Sequence, residues 1–253
     1  MIQIENLTLQ RDGQPILTGV ETTIPATGLT ALIGPNGAGK STLLHGLAGL
    51  LPPAAGRVLV NGIDIASARP AERALRVALL TQNPLLVPRL SVRDLIGFGR
   101  WPHHRGRPRQ EDRDHVDEAL RVFDLSALEH RSLDSLSGGQ RQRAYVAMAH
   151  AQATPWMLLD EPLSALDPRY ARDIMERLHR LSRPGEGARG VVIVLHDLGM
   201  AARYADWVVT LRDGRLVRSG PRPEVMTTEA LSALFETGLA VDECRGRPVV
   251  LPV

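Results

Sequence analysis

Gly34-Pro35-Asn36-Gly37-Ala38-Gly39-Lys40-Ser41-Thr42 is the stretch on which the reading of this chain turns. It satisfies the pattern G-x-x-x-x-G-K-[ST] in full. The apolar segment Leu29 to Ile33 precedes it as a strand, and Thr42 to Leu50 follows as a helix. Glycines let the backbone curl until successive N–H groups point at one centre, and the helix adds its positive N-terminal end. In such a loop the amides cradle phosphates, Lys40 reaches the β and γ phosphates, and the Ser41 hydroxyl binds Mg²⁺. The pattern predicts binding of ATP or GTP.

Outward from this loop, Ile2 to Leu9 alternates apolar and polar residues as a strand with one wet face should. A turn at Asp12-Gly13 leads to a second strand ending near Ile24, and Gly56 to Gly62 reads as a strand closed by Asn61-Gly62. Val77 to Leu80 is a short buried strand running towards Gln82. From about Pro84 to His150 the pattern turns helical, clearest in Asp114 to Phe123, and predicts a mostly helical insertion. Trp101 to Gln110, rich in Pro, Gly, Arg and His, reads as an exposed loop. Sheet character returns in Trp156 to Asp160 and Val191 to Leu195, continuous apolar runs of the kind buried on both faces of a parallel sheet. Tyr170 to Leu181 is a crossover helix. A hairpin follows, Trp207 to Leu211 and Arg215 to Arg218 about Asp213-Gly214, and then a helix near Thr228 to Glu236.

Composition bounds the function. The 253 residues can bury a full core, and 43% apolar with 23% charged is ordinary for a soluble globular protein. A net charge of +2 argues against a nucleic-acid binder dominated by phosphate contacts. The single cysteine, Cys244, excludes an internal disulfide and fits a reducing compartment. Met1 to Asn6 shows no secretory signal and no apolar run can span a bilayer, so work at a membrane requires docking on a partner that crosses it.

Asp160 and Glu161 end an apolar strand, where a phosphate-binding loop enzyme needs one carboxylate for Mg²⁺ and can place another to activate water. Leu136-Ser137-Gly138-Gly139-Gln140, a helix cap when taken alone, lies towards the far end of the helical insertion. With these motifs in this order, the chain resembles the ATP-binding cassette (ABC) transporter ATPases from Ile2 to about Glu236. The resemblance implies an α/β fold: a P-loop NTPase core with a mixed sheet flanked by helices, an N-terminal antiparallel β subdomain and an inserted α-helical subdomain. It implies one domain over 1–253, with the signature-bearing helical part at about 84–150 and a C-terminal tail at about 220–253.

The resemblance also implies roles. Gly34, Pro35, Asn36, Gly37, Ala38, Gly39, Lys40, Ser41 and Thr42 hold ATP, and Ser41, Gln82 and Asp160 hold Mg²⁺. Glu161 is the general base, with His196 as the switch histidine and Gln82 as the loop glutamine. Ser137, Gly138, Gly139 and Gln140 face the γ-phosphate bound to the other subunit of a head-to-tail homodimer, and Ser164-Ala165-Leu166-Asp167 is the D-loop crossing that interface. Where many relatives stack an aromatic residue on adenine this chain has Arg11, whose guanidinium can also stack.

The single cassette, together with Leu90 to Leu95, Phe98 to Pro102, Ser137 to Gln152, Asp160 to Leu163 and His196 to Leu198, is similar to iron-siderophore importer ATPases. This implies import of ferric siderophore at the cytoplasmic face of the inner membrane. The implied partners are two permease subunits, gripped between Leu85 and Arg105, and an extracytoplasmic substrate-binding protein, with no nucleic acid. Haem and cobalamin importers share much of this pattern. A soluble ABC ATPase of translation or DNA repair is the other class, but those usually carry two cassettes or a long coiled coil, and sustained heptads are missing here.

Overall fold

The computed structural model describes residues 1–82, 89–164, 166–185 and 187–253. β1 (Ile2–Arg11) and β2 (Gln14–Ile24) form an antiparallel hairpin. Asp12 and Gly13, at φ 52° and 76°, make the mirror-image turn that suits twisted strands. β3 (Leu29–Ile33) departs into a second sheet and leads through the glycine loop to α1 (Lys40–Leu47). The chain returns with β4 (Ala55–Val60) and β5 (Ile63–Asp64), which complete an antiparallel sheet of order β2-β1-β4-β5. α2 (Pro70–Ala74) then precedes β6 (Val77–Leu80).

A helical layer follows: α3 (Val92–Phe98), α4 (Trp101–His104), α5 (Gln110–Val122) and α6 (Gly138–Ala151). The core resumes with β7 (Trp156–Leu159), α7 (Pro168–Leu181), β8 (Gly190–Val194) and α8 (Leu198–Tyr204). β9 (Trp207–Arg212), β10 (Arg215–Pro221), α9 (Arg222–Val225) and α10 (Thr228–Phe235) come next, and β11 (Leu239–Cys244) pairs with β12 (Arg247–Pro252) at the end.

The larger sheet has the order β10-β9-β3-β8-β7-β6, parallel throughout except for β10. Every residue of β3, β7 and β8 is buried, as their unbroken apolar runs require. Alternation along these strands feeds two cores. Ala31, Ile33, Met157, Leu159, Val191 and Ile193 face the helical layer. Leu32, Leu158, Val192 and Val194 face α1 and the antiparallel sheet. The fold is therefore α/β, with a mixed sheet, flanking helices and an N-terminal antiparallel sheet. The carboxyl ends of β3, β6, β7 and β8 lie side by side, the edge at which parallel sheets bind ligands.

Two expectations change. The helix after the glycine loop starts at Lys40 and stops at Leu47, two residues earlier than read at its start and three at its end. Trp101 to Gln110 is not one exposed loop, because Trp101–His104 is a helical turn and Gln110 opens α5. Buried Arg100 anchors this corner, donating to Asp112 Oδ1 at 3.1 Å and the Ala151 carbonyl at 3.0 Å. Within the expected C-terminal tail, β11 and β12 form a hairpin whose Val241 and Val250 pack on the main core. The helical insertion runs from Val92 to Ala151, while its expected start at Pro84 falls outside the described residues.

Candidate functional site

The glycine loop can take its shape only with the glycines it has. Gly34 has φ 153°, and a Cβ there would lie 2.1 Å from the Leu211 carbonyl oxygen. Gly39 has φ 95°, with Leu17 Cδ2 2.6 Å from where its Cβ would be. Lys40, only 5% exposed, folds back so that Nζ donates to the carbonyls of Gly34 and Pro35, both at 2.9 Å. Burial lowers the pKa of its ammonium, against the opposing pull of Glu161 and Asp160. The lysine is thus a desolvated cation held by neutral carbonyls, a group that gains from an incoming polyphosphate.

Ser41 lies in the first turn of α1 and donates from Oγ to Asp160 Oδ1 at 3.0 Å. Asp160 follows β7 directly and is 3% exposed. Burial raises its pKa, the Ser41 hydrogen bond opposes this, and the neighbouring charge of Glu161 raises it further. A buried carboxylate that resists ionisation, touching a hydroxyl, fits a Mg²⁺ ion that would take oxygen from both.

Glu161 sits at φ 48°, a left-handed conformation costly for a residue with a side chain and common where function fixes the backbone. It turns the carboxylate back towards the loop. Oε2 accepts from Gln82 Nε2 at 2.6 Å, and Oε1 lies 2.6 Å from His196 Nε2. Gln82 stands beyond β6 and His196 beyond β8, so the triad is gathered from three strand ends. A cavity of about 660 Å³ is lined by this triad, residues 36–42 and Ile16.

The remaining sequence-derived residues lie elsewhere. Ser137 caps α6, its Oγ accepting from the Gln140 amide at 3.3 Å while Gln140 Oε1 accepts from the Ser137 amide at 3.1 Å. Ser137 and Gly138 are exposed, and residues 137–140 do not line the cavity. Asp167 caps α7 by accepting from the amides of Arg169 and Tyr170, both at 3.0 Å. Ala165 of the expected D-loop lies outside the described residues. Arg11 is exposed at the end of β1, paired with Gln14 and absent from the cavity lining. Ile16, not singled out from the sequence, lines the cavity; nothing in its local sequence distinguishes it from other apolar strand residues.

A family model described as ABC transporter matches residues 17–164, more than half of the chain. The chain belongs to the ABC transporter family. It is one of that family's ATPases. Its relatives include the petrobactin import ATP-binding protein YclP of Bacillus subtilis, 37% identical over 95% of both chains. The ferric enterobactin transport ATP-binding protein FepC of Escherichia coli is 39% identical, over 98% of this chain and 93% of the relative. The hemin import ATP-binding protein HmuV of Pseudomonas aeruginosa is 40% identical over 99% of both. Among solved structures, this ABC ATPase superposes on an ADP- and Pi-bound dimer of the cassette MJ0796 with a TM-score of 0.77 and 28% identity, covering 88% of this chain and 99% of the other. An inward-facing structure assigned to the metal-chelate type of ABC transporter matches with a TM-score of 0.84 and 25% identity, covering 100% of this chain and 97% of the other.

Proposed function

We propose that this ABC ATPase hydrolyses Mg²⁺-bound ATP in a homodimer and thereby powers import of ferric siderophore through two permease subunits. The observation that carries the ATPase chemistry is the Glu161 carboxylate, held at 2.6 Å by both Gln82 and His196 at the mouth of the glycine-loop cavity. Petrobactin and enterobactin in the names of its relatives support the cargo class.

In this reading residues 34–42 and Lys40 bind the phosphates, giving up the contacts of Lys40 to the Gly34 and Pro35 carbonyls. Mg²⁺ at Ser41 and Asp160, with Gln82 nearby, would neutralise charge on the phosphates. Glu161 accepts a proton from water only when its oxygens are released by Gln82 and His196, both of which have reason to turn towards a bound nucleotide. The wall offers Ile16 for apolar contact with the base, while Arg11 is placed to reach it only from outside the cavity. Ser137 to Gln140, with Ser137 and Gly138 exposed and all four away from the chain's own cavity, complete the site of a second copy, and Asp167 crosses between the copies.

No described helix is long and apolar enough to cross a membrane, so in this reading the ATPase sits at the cytoplasmic face through its permease. Phe98 and Trp101, 51% and 55% exposed, border an apolar cavity of about 580 Å³ on the helical layer and are placed to receive that permease. They belong to the segment 85–105 expected from the sequence, of which 85–88 lie outside the described residues. An extracytoplasmic binding protein would deliver the cargo. The hemin-import relative, at 40% identity, favours haem as the second reading. Uptake of labelled ferric siderophore, haem and cobalamin by cells depleted of this protein decides between them. Siderophore uptake alone should vanish and return with the wild-type chain but not with Glu161→Gln. Loss of haem uptake instead would assign the cargo to haem, and persistence of all three would overturn the import reading.

A further inference from the structure

The two motifs that point away from the chain's own cavity touch each other through one aromatic ring. Tyr170 lies in the first turn of α7, its amide bound to the Asp167 carboxylate at 3.0 Å. Its ring lies against the backbone of Gly139 in the signature. A Cβ built on Gly139 would be 2.8 Å from Tyr170 Cδ2 and 3.0 Å from Cγ. Gly139 does not have a positive φ, so its lack of a side chain serves the approach of the ring rather than the backbone conformation. One turn on, Arg143 places its guanidinium carbon 5.5 Å from the centre of the same ring.

Behind the ring, charges hold the elements together. Arg143, 8% exposed, brings Nη1 to 3.6 Å from Asp124 Oδ2 and 3.9 Å from Asp173 Oδ2. Arg177 holds Asp173 through Nε at 3.0 Å and Nη2 at 2.9 Å, and also donates to the Val122 carbonyl. The start of α6, the end of α5 and the start of α7 are therefore joined, with Tyr170 at the point nearest the signature.

We infer that Tyr170 is a positioning residue that fixes the signature Ser137–Gln140 relative to Asp167, so that both reach a second copy of the chain as one unit. This rests on the composite-site reading above. Tyr170 lies outside the glycine-loop cavity, so it acts on assembly of the site and not on binding of nucleotide by the single chain.

The test uses the full chain in the Glu161→Gln background, with ATP-dependent dimerisation followed by sedimentation and ATP affinity measured at concentrations where the chain is monomeric. The expected result for added Tyr170→Ala is dimerisation weakened by about tenfold or more, monomer affinity for ATP within about twofold, and recovery with Tyr170→Phe. Gly139→Ala should weaken dimerisation by itself, and adding Tyr170→Ala should then cost much less than in the Gly139 chain, because the two changes remove one contact. Dimerisation unchanged by Tyr170→Ala, or losses from the two substitutions that simply multiply, would overturn the role of Tyr170 while leaving the composite site intact. A Glu161→Gln chain that fails to dimerise with ATP would overturn the composite site and, with it, this role. Equal loss of ATP affinity in the monomer would show a general structural defect and also overturn it.

Discussion

At the scale of single residues, the proposed chemistry rests on Glu161, whose environment suits a general base. The carboxylate is aimed by a left-handed backbone and held by Gln82 and His196. Replacing it with Gln keeps the shape and one accepting oxygen, puts a donor NH2 in place of the other, and removes the proton acceptor. Glu161→Gln should bind ATP as the wild type does and turn over about 10²–10⁴ times more slowly, measured as phosphate release under saturating nucleotide. Near-normal turnover would assign the base elsewhere. Lys40 allows a second test, because it is the only lysine in the sequence. Burial lowers its pKa, leaving more neutral amine at a given pH than an exposed lysine has. An acyl-phosphate derivative of ATP should label Lys40 alone among side chains, and excess Mg²⁺–ATP should protect it; labelling indifferent to ATP would contradict its place at the phosphates. Most of this site could be read in the sequence, because each motif follows a strand and parallel strands align their ends. The wall residue Ile16 could not. Which side chain of β2 meets the cavity depends on how the hairpin packs over the loop, and no local pattern records that.

At the scale of elements, the helical layer contains a buried histidine with a defined effect on stability. His150, 3% exposed near the end of α6, has its pKa pushed down to about 3 by burial, with the Arg189 guanidinium adding to the shift. Arg189 Nη1 donates to the His150 carbonyl at 2.6 Å and approaches Nδ1 at 3.2 Å. Guanidinium can only donate, so Nδ1 is the unprotonated nitrogen. Between pH 6.5 and about 3 the unfolded chain binds this proton and the folded chain does not. Stability from His150 is therefore present above the unfolded pKa and is lost as pH falls through that window. Between pH 7 and pH 4 the loss should be on the order of 3 kcal/mol, and His150→Gln should lack it in urea unfolding. An acid limb identical in both chains would contradict the assignment. The sequence predicted the helical character of this layer but misread one of its elements and, elsewhere, left the last hairpin unread. In α4, short and full of Pro and His, local composition reads as loop while buried Arg100 fixes a helical turn. The β11–β12 hairpin turns at Arg245-Gly246, without the Asn-Gly or Asp-Gly pair that marked the other hairpins.

At the scale of the whole molecule, the two cores divide the labour. One joins the nucleotide-binding strands to α1 and the antiparallel sheet; the other joins the same strands to the helical layer that carries the signature and the exposed Phe98 and Trp101. In the proposed reading, these packed side chains are the physical connection between the strand ends and the surface offered to a permease. The fold class was legible because the unbroken apolar runs of β3, β7 and β8 identify a doubly covered sheet. The separation of Ser137 from the cavity was expected only from the family resemblance, since sequence order by itself says nothing of which copy completes the site. That separation is the centre of the account, and mixing two inactive chains tests it most directly. Lys40→Ala should disable the phosphate loop and Ser137→Arg the signature, and each chain alone should be inactive. In a mixed dimer one site then has an intact loop from one copy and an intact signature from the other. The account predicts that ATP hydrolysis returns on mixing, to about a quarter of the wild-type rate for equal amounts and independent sites. Mixtures as inactive as either variant would show that loop and signature act within one chain, and the composite site would be wrong.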